Sequence, residues 1–256
     1  MSEQHWATNL EELMAALRDP TTGCPWDLKQ NWNSLTKHTL EEVYECIDAI
    51  EQNESEHVKE ELGDLLFHVY FYAQIAKENK LFSIEDIAKD LNTKMRERHP
   101  HVFSNATFES VDQHLKEWEL RKMKNRQTVM DDIPNALPAL IRAQKTQKKV
   151  SVFGFDWPNV TGPLNKCHEE LAEITTELNT VDNQDKLEEE IGDLLFSVVN
   201  LARHCKIDAE MALKAATNKF IDRFKTVEKN SASAGKPLAE HTIEELESLW
   251  ATAKKS

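Results

Sequence analysis

The feature that most restricts the fold of this chain is an octapeptide that occurs twice. The sequence EELGDLLF spans residues 60–67, and the sequence EEIGDLLF spans residues 189–196. The segments before the two octapeptides also correspond, because LEEVYECIDAI at 40–50 aligns with HEELAEITTEL at 168–178. Internal repetition of this kind indicates two diverged copies of one structural unit. We therefore interpret the chain as a tandem repeat.

The position of the repeat predicts how the chain divides. KMRER at 94–98 aligns with KFIDR at 219–223, so each copy spans roughly a hundred residues, an ordinary size for a domain. Between the copies lies the polar, turn-like segment NRQTVMDDIP at 125–134. We place the division there, with a first repeat over residues 1–125 and a second repeat over residues 126–256.

Apolar residues recur at helical spacing through both copies, as in the stripe of Leu62, Leu65, Leu66 and Val69. The chain also has only 6 glycines, which favours helix over strand. The pattern predicts an all-α fold of two tandem helical bundles, without strands. The predicted helices cover residues 9–18, 38–52, 55–79, 83–98, 112–126, 136–150, 164–179, 185–205, 208–229 and 242–253.

The composition excludes several classes of protein. A formal net charge of −14 gives the chain no general attraction to nucleic-acid polymers or anionic membranes. No apolar segment approaches the length that spans a bilayer, and there is no GxGxxG or Walker A motif. The 4 cysteines are far apart and include no CxxC pair, which argues against zinc and disulfides. We expect a cytoplasmic protein.

Each repeat contains two pairs of carboxylates at helical spacing. Residues three positions apart lie on the same face of a helix, so both members of a pair point the same way. If the two helices of each repeat form an antiparallel hairpin, the two pairs converge at the edge of its core. The carboxylates are Glu42, Glu45, Glu61 and Asp64 in the first repeat, and Glu170, Glu173, Glu190 and Asp193 in the second.

Such a cluster predicts a bound cation. Carboxylates held close together repel one another, and partial burial disfavours their charged form. Hard oxygen donors suit Mg²⁺, with Mn²⁺ as a substitute. A single acidic pair is typical of a solvated helix face, but its repetition favours a metal site. Gly63 and Gly192 lie inside strong helical patterns, and we interpret them as points where another helix or a ligand comes close.

Basic residues near the second set of acids indicate a phosphate ligand. Lys166 and Lys186 each precede an acid of that set by four residues, or one helical turn. Mg²⁺ commonly bridges carboxylates to phosphate oxygens, and phosphate attracts lysine and arginine. In the first repeat, His38 and His57 stand at the two lysine positions. Because histidine is largely neutral near pH 7, we predict weaker phosphate binding there.

A later helix of each repeat offers two more cations, and the chain ends near a tryptophan. The cations are Lys94 and Arg98 in the first repeat, and Lys219 and Arg223 in the second. Trp250 has two interpretations, a surface for stacking a nucleobase or a core anchor for the last helix.

With these residues assembled, the chain resembles the bacterial MazG proteins, members of the all-α nucleoside triphosphate pyrophosphohydrolases. The resemblance covers nearly the whole chain and rests on GCPWDLKQNWNSLTKHTLEEVYE, KEELGDLLFHVYFYAQIA, RHPHVF and FGFDWP. It implies Mg²⁺-binding helical bundles that form homodimers and hydrolyse nucleoside triphosphates to monophosphate and pyrophosphate. It also implies a role in removing unwanted nucleotides.

Carried over residue by residue, the resemblance assigns the metal ligands and catalytic carboxylates to Glu170, Glu173, Glu190 and Asp193. It assigns phosphate and nucleotide contacts to Lys166, Glu169, Lys186, Glu189, Lys219, Arg223 and Trp250. In the first repeat the metal motif falls on Glu42, Glu45, Glu61 and Asp64. We expect attack at the α-phosphorus, mainly in the second repeat. A carboxylate such as Glu173 is a candidate to orient or deprotonate the water.

Two other classes of protein also place acids on facing helices. A di-iron carboxylate bundle is one, although such bundles usually use Glu-x-x-His where this chain has Glu-x-x-Glu and Glu-x-x-Asp. A non-catalytic nucleotide-binding or interaction module is the other, and the first repeat fits that description because it lacks the two lysines.

Overall fold

The computed structural model of the chain describes residues 6–104, 128–131, 133–180 and 183–254. The chain forms two compact units, Met1–Phe108 and Glu109–Ser256, which we call unit 1 and unit 2. The predicted helix over 112–126 lies outside the described residues, as do residues 125 and 126, between which the predicted division falls. The division between residues 1–125 and 126–256 stays a prediction.

All the described elements are helical, which confirms the predicted all-α fold with two repeats. The helices of unit 1 are α1 (Trp6–Leu17), α2 (Pro25–Lys29), α3 (Trp32–Gln52), α4 (Ser55–Glu78), α5 (Ile84–Arg98) and α6 (Pro100–Phe103). Those of unit 2 are α7 (Ala139–Ser151), α8 (Thr161–Glu177), α9 (Gln184–His204), α10 (Ala209–Ser233), a 3-10 turn (Leu238–Glu240) and α11 (Ile243–Ala253).

The nine predicted helices within the described residues all exist, and the largest difference in their bounds is at α3. That helix begins at Trp32, six residues before the predicted start, because Asn31 and Ser34 form a reciprocal capping box. It ends at Gln52, because the next residue, Asn53, adopts a left-handed conformation with φ of 57°. The pattern missed α2 and α6, which have 5 and 4 residues and too few turns to show a period.

Each unit is built on a helical hairpin. In unit 1, α3 and α4 pack along each other, and α1 packs on α4. The core there contains the buried side chains of Met14, Leu35, Phe71 and Ile75. In unit 2, α8 and α9 form the corresponding hairpin, with α7 packed on α9. The carboxylates therefore lie on paired helices, as the sequence predicts.

The last helices of unit 2 pack on each other through aromatic rings. The ring of Trp250 in α11 lies 4.9 Å from the ring of Phe220 in α10. Lys254 Nζ lies over the ring of the same tryptophan, 5.9 Å from its centroid. These contacts favour the interpretation of Trp250 as an anchor for the last helix. None of the described helices combines the length and the apolar character needed to cross a membrane.

Candidate functional site

The hairpin of α8 and α9 brings the acids of unit 2 together. Carboxylate oxygens of Glu170, Glu190 and Asp193 all lie within 4.8 Å of one another. Oxygens of Glu169, Glu170 and Glu173 meet the same limit along α8. Glu170 belongs to both groups, so it joins the acids of one helix to those of the other.

Glu170 is the buried centre of this cluster. Only 2% of its surface is exposed, and its Oε2 atom has no hydrogen-bond partner among the described residues. Lys166 Nζ lies 2.6 Å from Glu170 Oε1 and 2.6 Å from Glu169 Oε1. Hydrogen bonds to Glu169 and Glu170 raise the pKa of Lys166, which is therefore charged at neutral pH. One lysine thus offsets part of the charge of several acids.

The crowding of acids also affects Glu173, at the solvent edge of the cluster. A hydrogen bond with Glu170, slight desolvation and the charges of Glu170 and Glu190 raise the pKa of Glu173. All the candidate metal ligands are carboxylate oxygens. One buried oxygen, Glu170 Oε2, accepts no hydrogen bond from a described residue. Both features fit a hard divalent cation such as Mg²⁺, for which carboxylate oxygens are the usual protein ligands. The residues present therefore suit the metal that the sequence predicts.

Unit 1 repeats the acidic cluster. Oxygens of Glu42, Glu45 and Glu61 lie within 4.8 Å of one another, and Glu61 is only 6% exposed. Its Oε2 atom also lacks a hydrogen-bond partner among the described residues. Burial, followed by the charges of Asp64, Glu45 and Glu61, raises the pKa of Glu42. All four acids predicted for the first repeat therefore interact.

The cations around the two clusters differ. In unit 1, His38 Nδ1 lies 3.2 Å from Glu41, and His57 Nε2 lies 2.9 Å from Glu61. A third imidazole, His68, is buried beside Glu42, with its Nε2 atom 4.0 Å from Oε1 of that glutamate. Burial and then the nearby His38 lower the pKa of His68. Unit 1 therefore surrounds its acids with imidazoles where unit 2 has a lysine.

The structure does not bring every predicted residue to the cluster. Lys186 is exposed and, like Lys219 and Arg223 on α10, forms no ion pair with a described residue. Glu189 is exposed on α9. A Cβ atom added to Gly63 or Gly192 would meet nothing within 4 Å, so the described contacts do not explain either glycine. The proposed substrate contacts of these charged residues stay predictions.

A cavity beside the acids of unit 2 is the feature that sequence reasoning missed. It has a volume of about 640 Å³ and lies among α7, α8, α9 and the loop before α8. Lys166 lies on its wall and also contacts Glu170, so the cavity adjoins the cluster. The motif FGFDWP supplies part of the wall, and it is the one feature of the sequence that could have indicated the cavity. We call this space the unit 2 cavity; its lining includes Gln147, Phe155, Trp157, Phe196, Asn200 and Arg203.

Comparison with models of known protein families shows which family the chain belongs to. The model of the MazG nucleotide pyrophosphohydrolase domain matches residues 30–103 and, a second time, residues 163–228. The chain belongs to the MazG family. Each match contains one of the two acidic clusters and the helical hairpin that carries it.

Relatives match over both units. A protein of Escherichia coli (strain K12), named nucleoside triphosphate pyrophosphohydrolase, is 43% identical over 249 residues, or 95% of each chain. A Thermotoga maritima protein named nucleoside triphosphate pyrophosphohydrolase/pyrophosphatase MazG is also 43% identical, over 96% of this chain and 94% of its own. The similarity extends to YabN of Bacillus subtilis, an uncharacterized protein, at 38% identity over 98% of this chain and 52% of YabN.

Proposed function

We propose that this chain hydrolyses nucleoside triphosphates to nucleoside monophosphate and pyrophosphate with Mg²⁺ held in unit 2. Its family and its relatives of similar length make it an enzyme of the nucleoside triphosphate pyrophosphohydrolase class, a hydrolase acting on acid anhydrides. The observation that carries the site of the reaction is the buried Glu170, which joins two groups of acids and contacts a lysine.

The metal would be held by the carboxylates of unit 2, which are Glu170, Glu173, Glu190 and Asp193. When bound, Mg²⁺ lowers the pKa of a coordinated water and offsets the negative charge of phosphate oxygens. The buried position of Glu170 fixes its carboxylate, because the side chain has little room to change rotamer. Glu173 is exposed beside it and is placed to orient the attacking water.

Lys166 supplies the positive charge for the substrate. In the structure its ammonium group contacts Glu169 and Glu170 from the side of the unit 2 cavity. A cation held by Glu170 would compete with Lys166 for that carboxylate, and the ammonium could then bind a phosphate oxygen as a point charge. Lys186, Lys219 and Arg223 are further candidates for phosphate contacts after the substrate arrives.

We extend the proposal to a homodimer that acts on unwanted nucleotides. The hairpin of unit 1 exposes Leu62, Leu66 and Val69 along one face of α4. On α9 the residues Ile191, Leu195 and Val198 are likewise exposed. Helical units with wide apolar faces commonly complete their core by pairing with a second copy. Sedimentation or light scattering would measure the oligomeric state, and a monomer at micromolar concentration would contradict this part of the proposal.

Product analysis tests the proposed reaction. The purified chain is incubated with ATP, dGTP, CTP and UTP in the presence of Mg²⁺, and the products are separated by ion exchange. We expect monophosphate and pyrophosphate in equal amounts, and no reaction after addition of EDTA. Diphosphate and orthophosphate as the main products would contradict cleavage between the α- and β-phosphates. Turnover that persists in EDTA would contradict the role of the metal.

A further inference from the structure

A small pocket in unit 1 combines histidines with acids of that unit. It has a volume of about 220 Å³, and its lining comes from α2, α3 and α4. Both α3 and α4 contribute one histidine and one carboxylate to the lining, four residues apart, which places each pair on one face of its helix. We call this space the unit 1 pocket; the four residues are His38 and Glu42 on α3, and Asp64 and His68 on α4.

The hydrogen bonds of His68 decide which of its ring nitrogens carries the proton. His68 is 7% exposed, and its Nδ1 atom lies 2.9 Å from Thr39 Oγ1. The hydroxyl of Thr39 donates its proton to the backbone oxygen of Leu35 at 3.1 Å, so it accepts from the imidazole. We therefore assign the ring proton to Nδ1, and Nε2 is left with a lone pair.

The lone pair of Nε2 forms no hydrogen bond with a described residue, and a carboxylate faces it. Oε1 of Glu42 lies 4.0 Å from Nε2, which is too long for a hydrogen bond. A nitrogen and an oxygen that each bind one zinc ion at about 2.1 Å lie at most about 4.2 Å apart, so an ion fits between them. A histidine that ligates a metal usually donates its other ring proton to a neighbour, as His68 does to Thr39.

The two remaining residues complete a set of two imidazoles and two carboxylates. Nδ1 of His38 lies 3.2 Å from Glu41, and its Nε2 atom forms no hydrogen bond with a described residue. Asp64 adds the second carboxylate to the lining. Glu61, which the sequence assigns to the metal motif, is held by His57 at 2.9 Å and does not line the pocket. The histidines therefore shift the candidate ligand set of unit 1 away from acids alone.

Unit 2 lacks both imidazoles. The repeat places Lys166 at the position of His38, and Ser197 at the position of His68. An ammonium group repels a cation, and the usual zinc ligands are thiolate, imidazole and carboxylate groups. Carboxylate oxygens suit Mg²⁺, whereas imidazole nitrogens suit zinc and other first-row transition metals. The two units thus offer ligands for different classes of metal.

We propose that unit 1 binds a divalent transition metal, with Zn²⁺ as its representative, through the two histidines and two acids of the unit 1 pocket. The ion joins α3 to α4 and stabilises the folded hairpin. Thr39 is a positioning residue, because it acts on the metal only through the ring of His68. The inference goes beyond the proposed function, since this site takes no part in the hydrolysis of triphosphates in unit 2.

Zinc binding to the full chain tests this inference. Zn²⁺ is titrated by calorimetry into the metal-free protein in an excess of Mg²⁺, which occupies the acids of unit 2. We expect one Zn²⁺ per chain that Mg²⁺ does not displace. His68→Gln removes one nitrogen ligand and should lower the affinity for Zn²⁺ by about tenfold or more, since loss of a group that only supports a ligand already costs 10–100-fold. X-ray absorption at the zinc edge should show scattering from imidazole rings, and less of it in His68→Gln.

His57→Gln is the matched control in the same unit. His57 also contacts a glutamate of the acidic cluster, but it does not line the unit 1 pocket. Its affinity for Zn²⁺ should equal that of the wild type. If His57→Gln weakens zinc binding as much as His68→Gln does, or if neither variant changes it, the inference is wrong. It is also wrong if the wild type binds no Zn²⁺ in the presence of Mg²⁺.

The test remains decisive if the buried histidine cannot be replaced. Should His68→Gln fail to fold, His38→Gln decides, because the side chain of His38 is 31% exposed. It should also lower the affinity for Zn²⁺ by about tenfold or more, and an unchanged affinity would overturn the inference. The measurement concerns binding alone, so a chain that binds Zn²⁺ in this way but releases no pyrophosphate would overturn only the proposed function.

Discussion

The two units hold similar clusters of acids but surround them differently. In each unit, three carboxylates from two paired helices lie within 4.8 Å of one another around a buried glutamate. In unit 2 a lysine contacts that glutamate and a cavity of about 640 Å³ adjoins it. In unit 1 a histidine contacts it, and the corresponding cavity is about 220 Å³.

The difference separates two requirements of the proposed reaction. Holding a metal needs only the carboxylates, and both units have them. Holding a nucleotide needs in addition a fixed positive charge, and among the described residues a lysine contacts the buried glutamate in unit 2, where unit 1 has a histidine. Unit 1 therefore serves as an internal reference, because matched substitutions in the two units isolate the effect of the surroundings from that of the acids.

The largest expected effect is the loss of a metal ligand from one unit. Asp193→Ala should lower kcat/KM for nucleoside triphosphates by more than about 100-fold, since even groups that only support a ligand cost 10–100-fold when removed. The matched change in unit 1, Asp64→Ala, should alter kcat/KM by less than about threefold. Pyrophosphate release under saturating Mg²⁺ is the measurement. Equal losses from the two variants would show that the surroundings do not decide where catalysis occurs.

A smaller effect is expected when the lysine of unit 2 is replaced by the histidine that unit 1 has at the same position. Lys166→His replaces a fixed charge by a mostly neutral ring at pH 8, and should lower kcat/KM by about tenfold, the value of one charge-assisted hydrogen bond. His38→Lys makes the reverse exchange and should leave turnover within about twofold of the wild type. A Lys166→His variant that keeps full activity would contradict the role given to the lysine.

The loss of folding stability at low pH should depend on one arginine–carboxylate pair in each unit. Hydrogen bonds from Arg18 lower the pKa of Glu78 in unit 1, despite some burial. Burial opposes the charge of Asp156 in unit 2, but Arg203 and His204 outweigh it and lower the pKa of that carboxyl. A depressed folded-state pKa stabilises the fold above the ordinary pKa of the acid, and this contribution is lost as pH falls through the folded value.

Urea unfolding at pH 7 and at pH 3 checks this expectation. At pH 7, Glu78→Gln and Asp156→Asn should each lower the free energy of unfolding by about 1–2 kcal/mol, at the low end for a hydrogen bond to a charged group because both carboxylates are partly exposed to solvent. At pH 3 the difference from the wild type should be smaller, because the pH is then below the ordinary pKa of both acids and part of the contribution is lost. A loss that is the same at both pH values would mean that shape, and not charge, explains the effect.

The smallest effect concerns repulsion in the metal-free cluster. Glu190→Gln keeps the shape of the side chain and removes one charge, so it should raise the metal-free melting temperature by a few degrees. It should also reduce the increase in melting temperature that Mg²⁺ causes. For the wild type this stabilisation corresponds to about 2.7 kcal/mol at a hundredfold excess of Mg²⁺ over Kd. Glu188→Gln, exposed on the same helix, is the control. A Glu190→Gln variant that melts lower but responds to Mg²⁺ like the wild type would exclude Glu190 as a ligand.

The sequence by itself determined the repeat, the helices and the faces on which the acids lie. These features depend on spacing along the chain, because residues three or four apart share a helix face whatever lies opposite. The pairing of α8 with α9 followed as well, since a short connection makes consecutive apolar helices pack antiparallel. For the same reason the proximity of Glu170, Glu190 and Asp193 was predictable from the sequence alone.

Only the tertiary structure decided what surrounds each acid. It selected Lys166, and not Lys186, as the partner of the buried glutamate, and it packed Trp250 against Phe220. It also paired the amide of Gln147 with the backbone oxygen of Phe196 and the amide of Asn200 with Arg203. These outcomes depend on where helices cross and on which side chain fills the space between them. No spacing within one helix encodes that information, since the atoms that satisfy or block a side chain come from a distant part of the sequence.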